Sequence, residues 1–216
     1  MKFSASLFDT CMFPIEVLSF AAIRRELAGR VSGRLLEIGP GTGANMSALA
    51  AFANGRLTGY TGIDPGPTPA LVKRLRDMTA ETGVPVRIVE GSAEDMPFAD
   101  NSFDTVLVTL VLCSVRSQGE ALREIRRVLA PGGRLLYMEH VIHPGPGVAA
   151  VMNTIDPLYN RITRECHLNR DTRQALLSAG FCLTDFHRHR SGLLIWGESC
   201  VRGEYCPDTG SPSTTV

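Results

Sequence analysis

A glycine-rich loop between a predicted strand and a predicted helix is the segment best suited to bind a ligand. It reads LLEIGPGTG over residues 35–43. Glycines let the backbone turn tightly and approach a ligand, and the start of a helix offers free N–H groups and a positive dipole end. A second predicted strand ends at Asp64, where a carboxylate can accept hydrogen bonds from ribose hydroxyls. Together these features predict a site for a nucleoside-containing cofactor.

Two kinds of cofactor fit this loop. Gly39, Gly41 and Ala44 satisfy a loose G-x-G-x-x-A pattern, which is typical of dinucleotide sites but weak by itself. Glu37 stands two residues before the first glycine. Its charge would repel a pyrophosphate, but not a cofactor that carries an ammonium and a sulfonium. The residues therefore favour S-adenosylmethionine (SAM) over a nicotinamide dinucleotide, and a tight turn without a ligand is the structural alternative.

Composition restricts the class of protein. The 216 residues suit one α/β domain, and 22 basic residues balance 22 acidic ones. Nucleic-acid binding needs clustered positive charge, so we expect no such partner and interpret Arg123, Arg126 and Arg127 as a solvated helix face. Six cysteines without a C-x-x-C pair and no signal peptide predict free thiols, a cytoplasmic location and no stable membrane insertion. A pair between Cys200 and Cys206 is the alternative to free thiols throughout. We expect a monomer or a homodimer.

Strands and helices alternate through the first part of the chain, which indicates βαβ units and a parallel sheet. One domain is predicted over residues 1–203, with an N-terminal helical cap over 1–30, and the polar residues 204–216 are predicted to be a flexible tail. The predicted strands are 34–38, 57–63, 86–89, 103–112, 134–138, 182–187 and 193–196. The predicted helices are 14–28, 45–53, 69–82, 119–129, 148–164 and 170–179.

Two further motifs carry a family resemblance. EGSAEDMPF occupies residues 90–98, and DNSFD occupies residues 100–104. With the loop, they resemble the class I SAM-dependent methyltransferases of the type 11 branch, over about residues 33–138. The resemblance implies a Rossmann-like fold, with a seven-stranded, mostly parallel sheet of order 3-2-1-4-5-7-6 and helices on both faces. It also implies SAM as cofactor and S-adenosylhomocysteine as product.

The same resemblance assigns the cofactor contacts residue by residue. The family often has Asp where Ser92 stands, so adenine N6 is expected to contact Glu94 or backbone instead. The predicted cofactor-binding residues are Glu37, Gly39, Pro40, Gly41, Thr42, Gly43, Asp64, Pro65, Ser92, Ala93, Glu94 and Thr109.

A narrower resemblance concerns the second half of the chain. TLVLCSV at 109–115, MEHV at 138–141 and CHLNRDT at 166–172 are similar to the alkyl-thiol methyltransferases of the methyltransferase-like group. This implies methyl transfer to a small thiol. Methylation of nitrogen or oxygen in a small metabolite, and SAM binding without methyl transfer, are the alternatives.

Three residues are candidates for catalysis. Methyl transfer from a sulfonium is an in-line displacement that depends mainly on alignment, with a base required only for a protonated acceptor. His140, at the end of the fifth strand, is the predicted base, or else a histidine bonded to backbone. Glu139 either orients it or faces the core, and Asp156 either approaches the acceptor or caps a helix. The cap and residues 142–170 are expected to wall the acceptor pocket.

Other histidines and cysteines receive structural interpretations. His143 and His167 are assigned to structural or surface positions, and His187 and His189 to a solvated strand face, because no third ligand completes a metal pattern. No metal is predicted. Cys113 is interpreted as a small core or pocket residue rather than a nucleophile, because no base neighbours it in sequence.

Overall fold

The sheet has the predicted strand order. A computed structural model describes residues 20–52, 55–163 and 166–203. Seven strands form one sheet of order β3-β2-β1-β4-β5-β7-β6. The pairs among β1 to β5 are parallel, and β7 is antiparallel to both β5 and β6. The strands are β1 (Gly33–Ile38), β2 (Leu57–Asp64), β3 (Val86–Glu90), β4 (Phe103–Thr109), β5 (Leu129–His140), β6 (Phe181–Arg188) and β7 (Leu194–Val201).

Six helices among the described residues cover the sheet. Local chemistry sets their ends. Thr68 caps one helix by accepting the Leu71 N–H at 3.2 Å, and Ser117 caps another through the Glu120 N–H at 3.3 Å. The helices are α1 (Ala21–Arg30), α2 (Met46–Phe52), α3 (Pro69–Thr82), α4 (Gln118–Val128), α5 (Pro146–Thr163) and α6 (Thr172–Ser178).

Alternation along the strands gives the sheet an apolar core on each face. In β5, Leu135 and Tyr137 belong to the core that contains α4 and α6, whereas Leu136 and Met138 belong to the core that contains α1, α2 and α3. Successive side chains of a strand point to opposite faces. Glu139 therefore lies on the face of the sheet that packs against α4, and His140 lies on the face that packs against α1. The two adjacent side chains have different surroundings.

The predicted boundaries differ most around β4 and β5. The apolar run after Phe103 predicted a strand to Leu112, but β4 ends at Thr109 because Leu110 turns the chain with a φ of 58°. Strand β5 begins at Leu129 instead of Arg134, so residues 130–133 belong to the strand. Strand β7 extends to Val201 instead of ending at 196. Residues 14–19 of the first predicted helix and the predicted tail lie outside the described residues.

The structure also shows the state of the cysteines and the lengths of the helices. Cys113, Cys166 and Cys182 are free, whereas Cys200 is disulfide-bonded, so the prediction of free thiols is wrong at Cys200. Cys206, the partner that the alternative named, lies outside the described residues. In the part of the chain that the structure describes, none of the helices combines the length and the apolar character needed to cross a bilayer.

Arg127 fastens the connection between β3 and β4 to helix α4. Its guanidinium donates to the carbonyl oxygens of Met96 at 3.0 Å and Phe98 at 2.7 Å. It also donates to Glu124 at 2.7 Å and to Asp100 at 2.8 Å. The predicted solvated face is therefore wrong for Arg127, because this arginine holds together the segment that follows β3.

We predict that Arg127→Ala lowers the free energy of unfolding by about 1–3 kcal/mol, because two backbone carbonyls and two carboxylates lose their partner. Urea unfolding measures the change. Arg123→Ala is the matched control on the exposed side of the same helix, and we expect it to stay within about 0.5 kcal/mol of the wild type. Equal effects of the two substitutions would contradict the structural role of Arg127.

Candidate active site

The glycine loop leaves β1 in a conformation that needs glycine at its first position. Gly39 has a φ of 62°, and a Cβ there would lie 2.6 Å from Cγ2 of Val111. Both the left-handed backbone and the close contact exclude a side chain. The Gly39 N–H donates to the Ile63 carbonyl at 2.8 Å, so the loop is tied to β2 as it leaves the sheet.

Asp64 joins the loops that follow β1 and β2. One carboxylate oxygen accepts from the Gly41 N–H at 3.0 Å, and the other accepts from the Gly66 N–H at 2.9 Å. Thr68 adds a bond to the Gly41 carbonyl at 3.1 Å. Each carboxylate oxygen can accept more than one hydrogen bond. Asp64, the residue predicted to bind the ribose, therefore lies at the edge of the cofactor loop and can still accept further hydrogen bonds.

The other loop residues predicted to bind the cofactor have different surroundings. Pro40 is buried and its carbonyl accepts from the Gly43 N–H at 2.7 Å, which closes a tight turn. Thr42 is half-buried and Pro65 is exposed. The loop thus presents its backbone at the carboxyl edge of the sheet, where ligands bind in open α/β folds.

Glu37 lies beneath the loop, only 1% exposed. It accepts hydrogen bonds from Nδ2 of Asn45 at 2.6 Å and from the hydroxyl of Tyr60 at 2.7 Å. Nδ2 of Asn45 also donates to Oγ1 of Thr109 at 2.9 Å, and Nη1 of Arg24 donates to Oδ1 of Asn45 at 2.6 Å. We call these five residues the polar cluster. It links α1, the loop, β2 and the end of β4.

The pKa values in the polar cluster reflect burial. Burial raises the pKa of Glu37, and the hydrogen bonds from Asn45 and Tyr60 and the charge of Arg24 partly offset this. Burial and the neighbouring carboxylate raise the pKa of Tyr60. The predicted contact between Glu37 and the cofactor stays a prediction, and the geometry gives Glu37 a structural task beneath the loop.

Sequence reasoning missed three members of the polar cluster: Arg24, Asn45 and Tyr60. Arg24 carried a usable signal, because it shares the buried face of α1 with Leu27 and Ala28. A charged residue on an otherwise apolar helix face needs a partner. Asn45 and Tyr60 offered no comparable signal, since their partner Glu37 approaches them only in the folded sheet.

The motif after β3 is held together by Glu94. This carboxylate accepts from the Ser92 hydroxyl and from the backbone N–H of Arg116 at 2.8 Å and of Ser117 at 3.4 Å. These hydrogen bonds lower the pKa of Glu94 against the opposing effect of burial, which is the largest single influence. Glu94 thus fastens the segment after β3 to the start of α4, while Ala93 is buried beside it.

Glu139 organises the segment that follows β4. Its fully buried carboxylate accepts from the backbone N–H groups of Val111 at 2.9 Å, Leu112 at 3.0 Å and Cys113 at 3.2 Å. Burial raises its pKa to about 7 although these bonds oppose the shift. Of the two roles left open by the sequence, the geometry favours the core position: Glu139 shapes the 111–113 segment, on the opposite face from His140.

His140 lies at the carboxyl end of β5, where β5 pairs with Leu194 of β7. Its Nδ1 is buried and has no hydrogen-bond partner among the described residues. Burial lowers the pKa of the imidazole, so His140 is neutral at physiological pH. A neutral imidazole can accept a proton, and the role of His140 as the base stays a prediction because its Nδ1 is buried.

Asp156 holds the chain after α5. Its buried carboxylate accepts from the Leu168 N–H at 2.5 Å and lies 3.2 Å from Nδ1 of His167. Asp156 lies inside α5 and bonds the loop before α6, whose N-cap is Asp171, so the helix-capping alternative is wrong and the approach to an acceptor stays a prediction. Beside it, α5 exposes an apolar stripe made of Val148, Val151, Ile155, Leu158 and Tyr159.

The fold brings partners to His187 that the sequence did not suggest. Glu26 and Asp185 offer ligand atoms that all lie within 4.8 Å of one another and of His187. Arg30 forms ion pairs with both carboxylates. The imidazole of His187 stacks on Trp196 with ring centroids 5.1 Å apart. The cationic partner of these carboxylates is thus a guanidinium, and the predicted solvated face of His187 is wrong.

Comparison with known proteins decides the family. A model described as "Methyltransferase domain" matches residues 36–137. The ubiquinone/menaquinone biosynthesis C-methyltransferase UbiE of Ectopseudomonas mendocina is 32% identical over 192 residues, which cover 78% of this chain and 73% of that protein. The chain belongs to the SAM-dependent methyltransferases. Its cofactor is therefore SAM, as Glu37 together with the loop and Asp64 predicted.

The similarity to a second relative also extends beyond the residues that carry the cofactor motifs. The human thiol S-methyltransferase TMT1B is 37% identical over 173 residues, 73% of this chain and 67% of that protein. This methyltransferase chain spans 59–67% of the length of the thiol S-methyltransferases it matches. Among solved structures, the [4+2]-cyclase SpnF shares the fold at a TM-score of 0.58 and 26% identity, over 76% of this chain and 58% of that one.

We predict that Asp64→Ala weakens SAM binding by about 1–3 kcal/mol, because ribose hydroxyls would lose their acceptor. Calorimetric titration of wild type and variant measures the change. Asp77→Ala removes an exposed carboxylate paired with Lys73 in α3 and is the control. An unchanged dissociation constant in a folded Asp64→Ala protein would contradict the ribose assignment.

Glu139 should give stability a defined pH dependence. Its pKa is raised from 4.5 to about 7, so the native state holds this proton more tightly than the unfolded chain. The carboxyl then contributes stability that is fully present below about pH 4.5 and is lost as the pH rises through about 7.

The test compares Glu139→Gln, which does not titrate, with wild type by urea unfolding between about pH 4 and pH 8. We expect the free energy of unfolding of the wild type, relative to the variant, to fall as the pH rises. Glu120→Gln, at an exposed position in the first turn of α4, is the control without such a trend. A difference that rises with pH would show that the carboxylate is the favoured native form.

Proposed function

We propose that this chain transfers the methyl group of SAM to the sulfur of a small thiol. The observation that carries the proposal is the 37% identity with TMT1B, which extends over 173 residues and so beyond the cofactor half. The active-site geometry supports it, because the ligand edge combines a cofactor loop with a buried, neutral histidine that has a free ring nitrogen.

The cofactor half of the chain fits SAM. A side chain at position 39 would collide with Val111, so the loop needs Gly39 there. Asp64 offers its carboxylate oxygens next to this loop. When bound, SAM supplies an electrophilic methyl group on a sulfonium. The loop backbone, Asp64 and, as the resemblance implies, Ser92, Ala93 and Glu94 hold the donor. They align it with an acceptor that approaches between β4 and β5.

His140 suits a thiol better than a hydroxyl. A thiol with a pKa near 8.5 lies about two units above an ordinary histidine, and moving its proton costs about 3 kcal/mol. A hydroxyl that resembles water, with a pKa near 15.7, would cost more than about 10 kcal/mol. Burial lowers the pKa of His140 further, which widens both gaps. His140 takes the thiol proton while the new carbon–sulfur bond forms and the bond to the sulfonium breaks.

Carbon methylation is the second candidate. The relative UbiE is named a C-methyltransferase, and its similarity covers slightly more of this chain than that of TMT1B. Nitrogen or oxygen acceptors remain in the same class of reaction. SAM binding without methyl transfer is a separate alternative, which SpnF makes concrete because it is a cyclase with the same fold.

We also propose a domain organisation, a location and an oligomeric state. Residues 1–203 form one methyltransferase domain in which residues 1–30 and 142–170 border the acceptor. The protein acts in the cytoplasm as a monomer or homodimer, without nucleic acid. The balanced charge of 22 basic and 22 acidic residues supports the last point.

We predict that labelled SAM transfers its methyl group to small alkyl thiols in preference to amines, phenols and quinone precursors. Product masses identify the methylated atom. Transfer to other acceptors without any transfer to thiols would contradict the proposed acceptor, and absence of transfer to every acceptor despite SAM binding would favour the non-transferring alternative.

The variant His140→Ala tests in the same assay whether His140 acts as the base. About 3% of a thiol with a pKa of 8.5 is ionised at pH 7, so loss of the base should lower turnover by at most about thirtyfold. The deficit should shrink as the pH approaches about 9.5, where the thiol ionises unaided. His189→Ala is the control at a half-buried histidine outside the proposed site. A deficit independent of pH would assign His140 a structural role.

A further inference from the structure

Two cysteines that are distant in the sequence meet at the acceptor edge. Cys113 ends the segment organised by Glu139, and Cys166 precedes α6. Both are free, and each thiol influences the pKa of the other. Cys113, interpreted from the sequence as a small core or pocket residue rather than a nucleophile, therefore has a second thiol near it.

The backbone holds the two cysteines side by side. The His167 N–H donates to the Cys113 carbonyl at 2.9 Å, and Arg170 donates to the Leu112 carbonyl at 2.6 Å. Asp156 fixes the same segment through the Leu168 N–H. A disulfide needs Cα atoms within about 7 Å and side chains that converge. The hydrogen bond between His167 and Cys113 brings the two segments together, and each thiol influences the pKa of the other from its own segment.

The two thiols differ in reactivity. Cys113 is 3% exposed, and the hydrogen bond to Cys166, together with burial, raises its pKa well above the ordinary range. Cys166 is only half-buried, and the hydrogen bond that it receives from Cys113 lowers its pKa. An accessible thiolate beside a buried thiol is the arrangement that thiol–disulfide exchange requires. Cys166 would attack and Cys113 would resolve.

The pair also lies close to the cofactor loop. Val111, two residues before Cys113, approaches Gly39 so closely that a Cβ there would lie 2.6 Å from its methyl carbon. A small thiol released at Cys166 would therefore appear on the same edge of the sheet as the methyl donor. The dithiol and the methylation site share the 111–113 segment.

We propose that Cys166 and Cys113 form a dithiol site that reduces low-molecular-weight disulfides to the thiols that this enzyme methylates. The Cys166 thiolate attacks one sulfur of the disulfide, the sulfur–sulfur bond breaks, and the first thiolate leaves and takes up a proton. Cys113 then gives up its proton and attacks Cys166, which releases the second thiol. Two electrons pass from the protein to the substrate, and a further cycle needs an external dithiol reductant.

Use of the released thiol rests on the proposed function, but the exchange step does not require SAM. The native protein, with Cys113, Cys166 and Cys182 reduced and the disulfide of Cys200 kept, is mixed without air with bis(2-hydroxyethyl) disulfide, and peptide mass mapping follows each cysteine over time. We expect a Cys113–Cys166 disulfide to form faster than a mixed disulfide at Cys182, which is also a free, half-buried cysteine.

Three variants separate the steps. Cys113→Ser should trap the 2-hydroxyethyl mixed disulfide on Cys166, and Cys166→Ser should slow modification of Cys113 by about tenfold or more. Cys182→Ser is the matched control and should leave formation of the pair disulfide unchanged. If Cys113→Ser does not fold, Cys166→Ser alone still tests the order of attack.

The proposal is overturned if Cys166 reacts no faster than Cys182, or if its mixed disulfide persists in the wild type without transfer to Cys113. Methylation of 2-mercaptoethanol, supplied directly with SAM, is measured on the same reduced protein. Exchange without methylation would overturn the proposed function and leave the dithiol site standing. Methylation without exchange would do the reverse.

Discussion

The buried carboxylate of Glu139 is the interaction on which the ligand edge depends. It accepts the N–H groups of Val111, Leu112 and Cys113, the three residues that follow the turn after β4. A buried ionisable group is unfavourable unless it is hydrogen-bonded, and three unpaired buried N–H groups would be costly as well. The carboxylate and the three N–H groups therefore stabilise each other in the folded protein. This contact fixes the path of the chain after β4 across the carboxyl end of the sheet.

That path joins the two halves of the site. On the cofactor side, Val111 packs against Gly39, so the loop that receives SAM and the segment held by Glu139 have complementary shapes. On the acceptor side, the carbonyl oxygens of Leu112 and Cys113 accept from Arg170 and His167. The same short segment thus connects the donor loop to the chain after α5. Beneath the donor loop, the polar cluster around Glu37 repeats the principle, with a buried carboxylate that is satisfied by side chains rather than by backbone.

Much of the fold followed from local patterns, and the site followed in part. The alternation of strands and helices predicted the parallel sheet, and the family resemblance implied its order, which the structure confirms. The glycine loop and Asp64 could be recognised because their chemistry lies in consecutive or regularly spaced residues. The end of β4 was predicted wrongly, because Leu110 to Leu112 are apolar and continue the strand pattern, whereas the group that turns them away is a glutamate on β5. Arg24 with Asn45, and Cys113 with Cys166, are contacts between distant segments, and no spacing rule in the sequence reveals them.

The central claim is that the ligand edge is already formed before SAM or an acceptor binds, because Glu139 holds residues 111–113. Hydrogen exchange of these three amides in the ligand-free protein tests it most directly. The account predicts protection of about a hundredfold or more over the unfolded chain, and loss of that protection in Glu139→Gln while the amides of β1 stay protected. Rapid exchange of the three amides in the wild type, with protection only after SAM is added, would contradict it.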